Sequence, residues 1–352
     1  MFYIIHILRG IAALLVAGFH LNAASDSEGY ATPIFDMFAY GAVGVDIFFV
    51  ISGFVIFLSA SRSKSWVASD FLVKRFFRIY PIYWLFLGVF LALSMGLFLA
   101  TGDASKLPTS EVLLKSFLLW PSDTYAISIA WTLTIEMTFY LLFCLCYQGK
   151  TASLGPVWRV LGVWSGLSVF CSLLGWNIGG LSTLFHPAVP ELVLGVIIAK
   201  LYLSGVSAGA IPASIVGAIG LIAALMIDYE AGYASWRAVW VGLPAALFIY
   251  GTLGIERRLG REMRLFGDAS FVLYLLHIPA FLVIGFLVEK GLGYNIYSSD
   301  LSMGLVLVVV MCGAFLAHLI IEKPYQNWYR GFLAKRKVQG PNAKATLKTS
   351  DR

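Results

Sequence analysis

An all-α integral membrane protein, with about ten transmembrane helices in one bundle and both termini cytoplasmic, is the fold the sequence predicts. Three observations predict it. The 352 residues are 59% hydrophobic and only 12% charged, whereas soluble domains are about a quarter charged. The apolar residues collect in runs of about 20, long enough to cross roughly 30 Å of hydrocarbon. The basic residues segregate: among the 25 Lys and Arg, Lys106, Lys115, Arg237 and Lys290 fall in outer loops, Arg9 lies within the first run, and the others fall in segments expected inside.

The runs lie near 2–24, 38–60, 79–100, 126–147, 157–175, 188–205, 208–228, 238–255, 267–288 and 301–321. The net charge of +6 does not signal nucleic acid, because the cations form no stripe with aromatic partners. Cys144, Cys146, Cys171 and Cys312 sit in apolar runs without metal-ligand spacing, so they read as packing residues and no metal site is expected. No attached soluble domain is expected. The basic tail 333–352 reads as disordered and close to anionic headgroups.

The first run, ILRGIAALLVAGFH, carries Arg9 and His20. Eleven residues apart on a helix, they return to nearly the same face about 16 Å apart. A charge facing lipid costs at least about 2.5–3.5 kcal/mol at the helix centre, so both are expected to face protein or water. With Asn22-Ala23-Ala24 the stretch imitates a secretory signal peptide. It is nearly uncharged before Arg9, and the topology balances only with this helix retained.

The second run, GAVGVDIFFVISGFVI, buries Asp46 about two turns from its outer end. Either Asp46 is a structural carboxylate held by a neighbouring helix or it pairs with His20 at a similar depth. The next segment, VKRFFRIYPIYW, sets Arg75 and Arg78 one turn apart near the inner surface. They read as a topology anchor or as an anion seat, since paired guanidinium groups suit phosphates. Pro81 is expected in the first turn of the third helix, where its missing N–H is tolerated.

The fourth run, AWTLTIEMTFYLLF, places Thr132, Glu136, Phe139 and Tyr140 on one face. Glu136 therefore sits mid-membrane as a proton relay or a hydrogen-bond partner. Glu191 opens the sixth run at the outer rim, as a surface acid or a site residue. In the ninth, Asp268 is expected to cap the helix start, and Ser270, Tyr274 and His277 share a stripe. His318, Glu322 and Lys323 end the last run, where Pro324 is expected to stop the helix.

Six segments in this order, ILRGIAALLVAGFH, GVDIFFVISGFVI, RFFRIYP, WTLTIEMTFYLLF, GDASFVLYLLHIP and IEKP, closely resemble the membrane-bound acyltransferase-3 family. Within it they look most like exopolysaccharide-production O-acetyltransferases. The resemblance implies an acyltransferase-3 type transmembrane domain over 1–332, in a bacterial inner membrane. It implies acetyl-CoA as co-substrate with no permanently bound cofactor, and a glycan or lipid-linked saccharide as acceptor. Arg9 and His20 match its arginine-x10-histidine motif, the histidine taken as catalytic; Arg75 and Arg78 match its basic pair, and Glu136 its fourth-helix acid. His6 and Ala130 depart from the family pattern.

On that reading His20 is the general base, Asp46 or Glu136 orients it, and Arg9, Arg75 and Arg78 hold the donor. Tyr80, Trp131, Tyr274 and His277 are further candidates. Trp120, Tyr125, Tyr229, Tyr233 and Trp236 of the outer loops suit sugar stacking and interfacial anchoring equally. A different class fits the buried ionisable residues too: a proton-coupled transporter relaying through Arg9, His20, Asp46, Glu136 and His277.

Overall fold

Hydrocarbon supplies no hydrogen bonds to a peptide chain, so a bilayer-spanning chain must satisfy its backbone internally, as a helix does. The computed structural model describes residues 3–63, 65–149, 154–226, 234–253 and 264–338, and among these there is no strand. The helices are α1 (Tyr3–Ser27), α2 (Val43–Ser61), α3 (Ala68–Thr101), α4 (Ser110–Leu118), α5 (Ala130–Cys146), α6 (Gly155–Leu173), α7 (Val189–Leu203), α8 (Ala210–Ala224), α9 (Leu243–Thr252), α10 (Arg264–Asp268), α11 (Ser270–Leu292), α12 (Asp300–Ala317) and α13 (Lys323–Val338). Seven segments are long and apolar enough to cross a membrane. Three shorter apolar helices, Ala130–Cys146, Ala210–Ala224 and Ala238–Thr252, accompany them.

Among the seven, the span containing α2 is the most deeply buried, and it packs chiefly against α7 and α1. Close approach of these backbones depends on glycine. A methyl group at Gly53 would lie 2.0 Å from the Leu192 carbonyl oxygen, one at Gly195 would lie 2.1 Å from that of Val50, and one at Gly44 would lie 2.2 Å from that of Ala12. Small residues at such crossings let helices pack by dispersion where no hydrophobic force separates protein from lipid. On the other side α11 packs against α1 and α12.

Four expectations are corrected. Pro81 lies well inside α3, which runs 34 residues, or about 51 Å. Its missing N–H leaves the carbonyl of Phe77, four residues back, without a helical partner; the Tyr325 hydroxyl donates to that oxygen at 2.8 Å. Pro324 does not stop the last helix. A π-helical turn over His318–Glu322 leads directly into α13, and this widened turn accommodates the ring of Pro324 directly after it. Helix therefore also covers 333–338 of the expected tail; 339–352 lie outside the described residues. Finally, Asp268 is no cap: Ala269 precedes α11 without a side-chain cap, and Asp268 Oδ1 instead lies 2.9 Å from His6 Nδ1.

The glycine crossing gives a stability prediction. Gly53→Leu is expected to cost at least about 3 kcal/mol, because the clash is with backbone rather than a movable side chain. Gly88→Leu, at a glycine with nothing within 4 Å, should leave stability within about 0.5 kcal/mol of the parent. Thermal melting of the detergent-purified variants followed by size-exclusion chromatography checks the contrast.

Candidate active site

Five helices, α1, α2, α3, α5 and α11, surround a cleft. Arg9 from α1, Arg75 and Arg78 from α3, and Glu136 and Tyr140 from α5 all line it. Glu136 is held in place twice: Ser52 of α2 donates to its Oε1 at 3.1 Å, and the Tyr140 hydroxyl donates to the same oxygen. The one-face spacing of Thr132, Glu136 and Tyr140 thus puts all three on the cleft wall, while Phe139 packs fully buried behind it.

The two arginines of α3 are not equivalent. Arg75 is buried, its guanidinium 5.1 Å from the Phe71 ring centre and 5.6 Å from that of Tyr140. It donates to Ser59 Oγ at 3.3 Å, and its Nε has no hydrogen-bond partner among the described residues. Cation–π contact of this kind gains strength when desolvated. Arg78, one turn on, is exposed to the cavity. Arg75 is thus a wall of the cleft and Arg78 a group free to meet a ligand.

A second, wider cavity shares Arg9, Arg78 and Phe271 with the first. Glu322 lines it, accepting from Gln326 Nε2 at 2.8 Å and lying 2.6 Å from His318 Nδ1. His318 and Glu322 are both buried. They form a buried pair across the π turn rather than the solvent-facing helix end their sequence position suggests.

His20 lines neither of these cavities. Half-buried on α1, its ring stacks on His277 of α11 with centroids 5.3 Å apart and planes 29° from parallel. His277 is fully buried. Its Nδ1 lies 3.2 Å from the Leu273 carbonyl oxygen, which can only accept, so Nδ1 carries the proton and Nε2 offers a lone pair. That Nε2 is buried with no hydrogen-bond partner among the described residues. Tyr274 stands between the histidine pair and the cleft: it lines the cleft, its hydroxyl is 2.8 Å from Thr132 Oγ1, and its ring is 5.9 Å from that of His277. Tyr274 therefore borders the arginine-lined cleft on one side and the histidine pair on the other.

The expected contact of Asp46 with His20 is not made. Asp46 is fully buried, and Arg237 holds both of its oxygens, Nε to Oδ1 and Nη2 to Oδ2, each at 2.7 Å. Arg237 Nη2 also donates to the Ala42 carbonyl at 3.0 Å. The carboxylate is thus paired with a bidentate guanidinium, the structural one of its two readings. Glu136 accepts from Ser52 and Tyr140 on Oε1, and the ring stacked on His20 is that of His277.

Around Asp46 lie residues that sequence reasoning undervalued. Glu191 is fully buried, not on the rim, and neither carboxylate oxygen has a hydrogen-bond partner among the described residues. His186 packs on Trp131 with centroids 4.4 Å apart, and Trp131 meets Phe49 edge to face. One signal was available: Arg237 is the single arginine among the outer-loop cations, and arginine rather than lysine suits a buried bidentate pair. Tyr80 does not line the cleft. Its hydroxyl donates to the Leu118 carbonyl at 2.9 Å and, with Tyr83 and Trp84, ties α3 to α4. Of the outer-loop aromatics, Tyr125 is bonded to Trp120 O and Ser122 N, Trp120 and Trp236 are exposed, and Tyr229 and Tyr233 lie outside the described residues.

Apolar helices long enough to cross a membrane, enclosing arginines, a carboxylate and a histidine pair, mark a multi-pass membrane protein with a polar interior. The chain belongs to the acyltransferase-3 family, whose acyltransferase domain matches residues 2–322. It is similar to the exopolysaccharide production protein ExoZ of Rhizobium meliloti (strain 1021), 28% identical over 307 residues, covering 82% of this chain and 90% of that one. It is also similar to the acyltransferase MdmB of Streptomyces mycarofaciens, 27% identical over 355 residues, covering 90% of this chain and 89% of its relative. No solved structure matches the chain.

Removing one member of the Asp46–Arg237 pair should be far worse than removing both. Arg237→Ala leaves a buried carboxylate unpaired and is expected to cost about 3–5 kcal/mol. Adding Asp46→Asn should recover at least about half of that loss, as read from the yield of folded protein in membranes and its melting temperature.

Proposed function

We propose that the protein carries an acyl group, acetyl in the simplest case, from cytoplasmic acyl-CoA to a hydroxyl of an extracytoplasmic or lipid-linked glycan. The observation that carries this reading is that two cavities meet at Arg9 and Arg78, while the helix bearing Arg9 also bears His20, eleven residues further along. A phosphorylated donor is attracted at one end, and a base waits beyond the other.

The orientation in this reading comes from the charge asymmetry of the loops. On this reading each of the seven long apolar segments and the three shorter apolar helices crosses once, an even number, which puts both termini on the cytoplasmic side of a bacterial inner membrane. Arg78 and Arg9 then face the donor's phosphates, and the thioester arm extends through the cleft towards Tyr274. The similarity to an exopolysaccharide production protein supports a sugar polymer or its precursor as acceptor.

In the chemical step, neutral His20 takes the proton of the acceptor hydroxyl as its oxygen bonds to the thioester carbonyl carbon. The carbon–sulfur bond then breaks, and the proton passes to the departing thiolate, leaving free thiol and ester. A positioned base of this kind contributes about 10²–10⁴-fold. His277 supports the ring of His20 through the stack. Its own Nδ1–H is fixed on the Leu273 carbonyl, which sets its tautomer. Thr132 and Tyr274 form the partition that the thioester must pass.

His20→Ala is accordingly expected to lower kcat about 10²–10⁴-fold with membrane level unchanged; near-parental turnover would remove it from the catalytic role. Purified protein given radiolabelled acetyl-CoA and candidate glycans should transfer label without any ion gradient. Gradient-driven uptake without transfer would instead select the proton-coupled transporter. Arg78→Ala should raise the donor KM about 10–100-fold, as loss of a charge-assisted hydrogen bond predicts.

A further inference from the structure

The fourth apolar run becomes helical only at Ala130, and a short helix, α4, precedes it with a break between the two. Leu119 ends α4 with φ 51°, the one positive φ at a residue other than glycine among the described residues. A side chain is held in that conformation only where its surroundings impose it. Here they do: Tyr80, Tyr83 and Trp84 of α3 donate to the last carbonyls of α4, and Ser116 Oγ accepts from Ala126 N at 2.8 Å. The break over 119–129 is thus a built feature of the bundle.

Three contacts fix its level. Tyr83, which holds Ser116 O at 2.8 Å, lies near the middle of α3, and α3 continues beyond it to Thr101, about 27 Å further. Thr183 Oγ1 donates to Ser122 O and the Trp164 indole to Leu184 O, each at 2.7 Å; beyond Trp164, α6 continues to Leu173, about 14 Å further. A methyl group at Gly41 would lie 2.2 Å from the Leu15 carbonyl oxygen, so α2 starts beside Leu15, and α1 continues to Ser27, about 18 Å further. The break and the start of α2 therefore form a floor sunk well below the outer ends of α1, α3 and α6.

Non-helical backbone at membrane depth persists only inside protein or beside water. Asp123, Thr124 and Ser128 are exposed on this floor, and a carboxylate facing hydrocarbon is strongly disfavoured, so the three border water. The floor ends at the histidine pair: the Ile129 carbonyl accepts from the Tyr274 hydroxyl at 3.3 Å, and the Tyr274 ring lies beside His277. His20, half-buried on α1 beyond Leu15, stands above the floor. We infer that the outer half of the bundle holds a water-filled basin in which a neutral saccharide acceptor lies on 119–129, with Asp123 and Ser128 as its hydrogen-bond partners. The basin follows from the three levels; its occupant rests on the acyl-transfer reading. A carboxylate accepts from sugar hydroxyls and repels phosphate and uronate groups, so Asp123 selects by charge.

The test begins with the full-length protein, its four cysteines replaced by alanine, carrying Asp123→Cys, Ser128→Cys or Val89→Cys. Val89 is an exposed apolar residue of α3, one turn and a half beyond Tyr83, and faces lipid. In sealed right-side-out vesicles a charged, membrane-impermeant methanethiosulfonate should label Asp123→Cys and Ser128→Cys at least about tenfold faster than Val89→Cys. Equal or slower labelling, or labelling only after the vesicles are opened, would overturn the basin. With a neutral gluco-oligosaccharide as acceptor, Asp123→Asn should raise the acceptor KM about tenfold and leave the donor KM within about twofold. An unchanged acceptor KM, or equal use of a glucuronate-bearing oligosaccharide by the parent, would overturn the seat. Rapid labelling without acetyl transfer to either sugar would keep the basin and reject its occupant; acetyl transfer without labelling would do the reverse.

Discussion

Hydrocarbon offers neither counter-ions nor hydrogen bonds, and each ionised group carried into this bundle has to find company among its own helices. Asp46 finds Arg237, Glu136 finds Ser52 and Tyr140, and Arg75 lies between two aromatic faces. These attachments cross from helix to helix and so decide which helices must be neighbours. The pair at Asp46 ties α2 to the segment just before α9. Glu136 ties α5 to α2, and the buried arginine ties α3 to both. Polar residues that are costly singly have become the pins of the bundle, while close-packed glycines allow the backbones near enough for those pins to reach.

The cleft is what these constraints leave over. Its walls carry the hydrogen-bonded Glu136 and the ring-packed Arg75, and its chemistry is carried by groups less fully engaged. Arg78 faces the cavity, and His277 Nε2 has no partner among the described residues. The division of labour between Arg75 and Arg78 illustrates the point. Identical side chains one helical turn apart differ because one falls against aromatic rings and the other against empty space.

Much of the architecture was legible because the bilayer imposes a coarse rule on composition. Apolar runs and loop charges marked the helices, and a 3.6-residue period put Thr132, Glu136 and Tyr140 on one face. Partners were less legible. That Asp46 would meet Arg237, 191 residues away, depends on tertiary packing that no local pattern encodes; proximity in depth to His20 was a weaker guide than the need of a guanidinium for a carboxylate. The prolines misled for a related reason. Pro81 and Pro324 obey the rules of an isolated helix only until a distant tyrosine hydroxyl and a widened turn supply what each ring removes.

The π turn at His318–Glu322 has a consequence for how such a chain can vary. A wide turn holds one residue more than an α-helical turn would, and each residue added to or taken from a helix rotates the downstream portion by about 100°. Shortening that turn by one residue would swing Tyr325, Tyr329 and Arg330 away from α3 together, with no side chain replaced. Drift by insertion and deletion is therefore closed to this stretch, even where drift by substitution remains open.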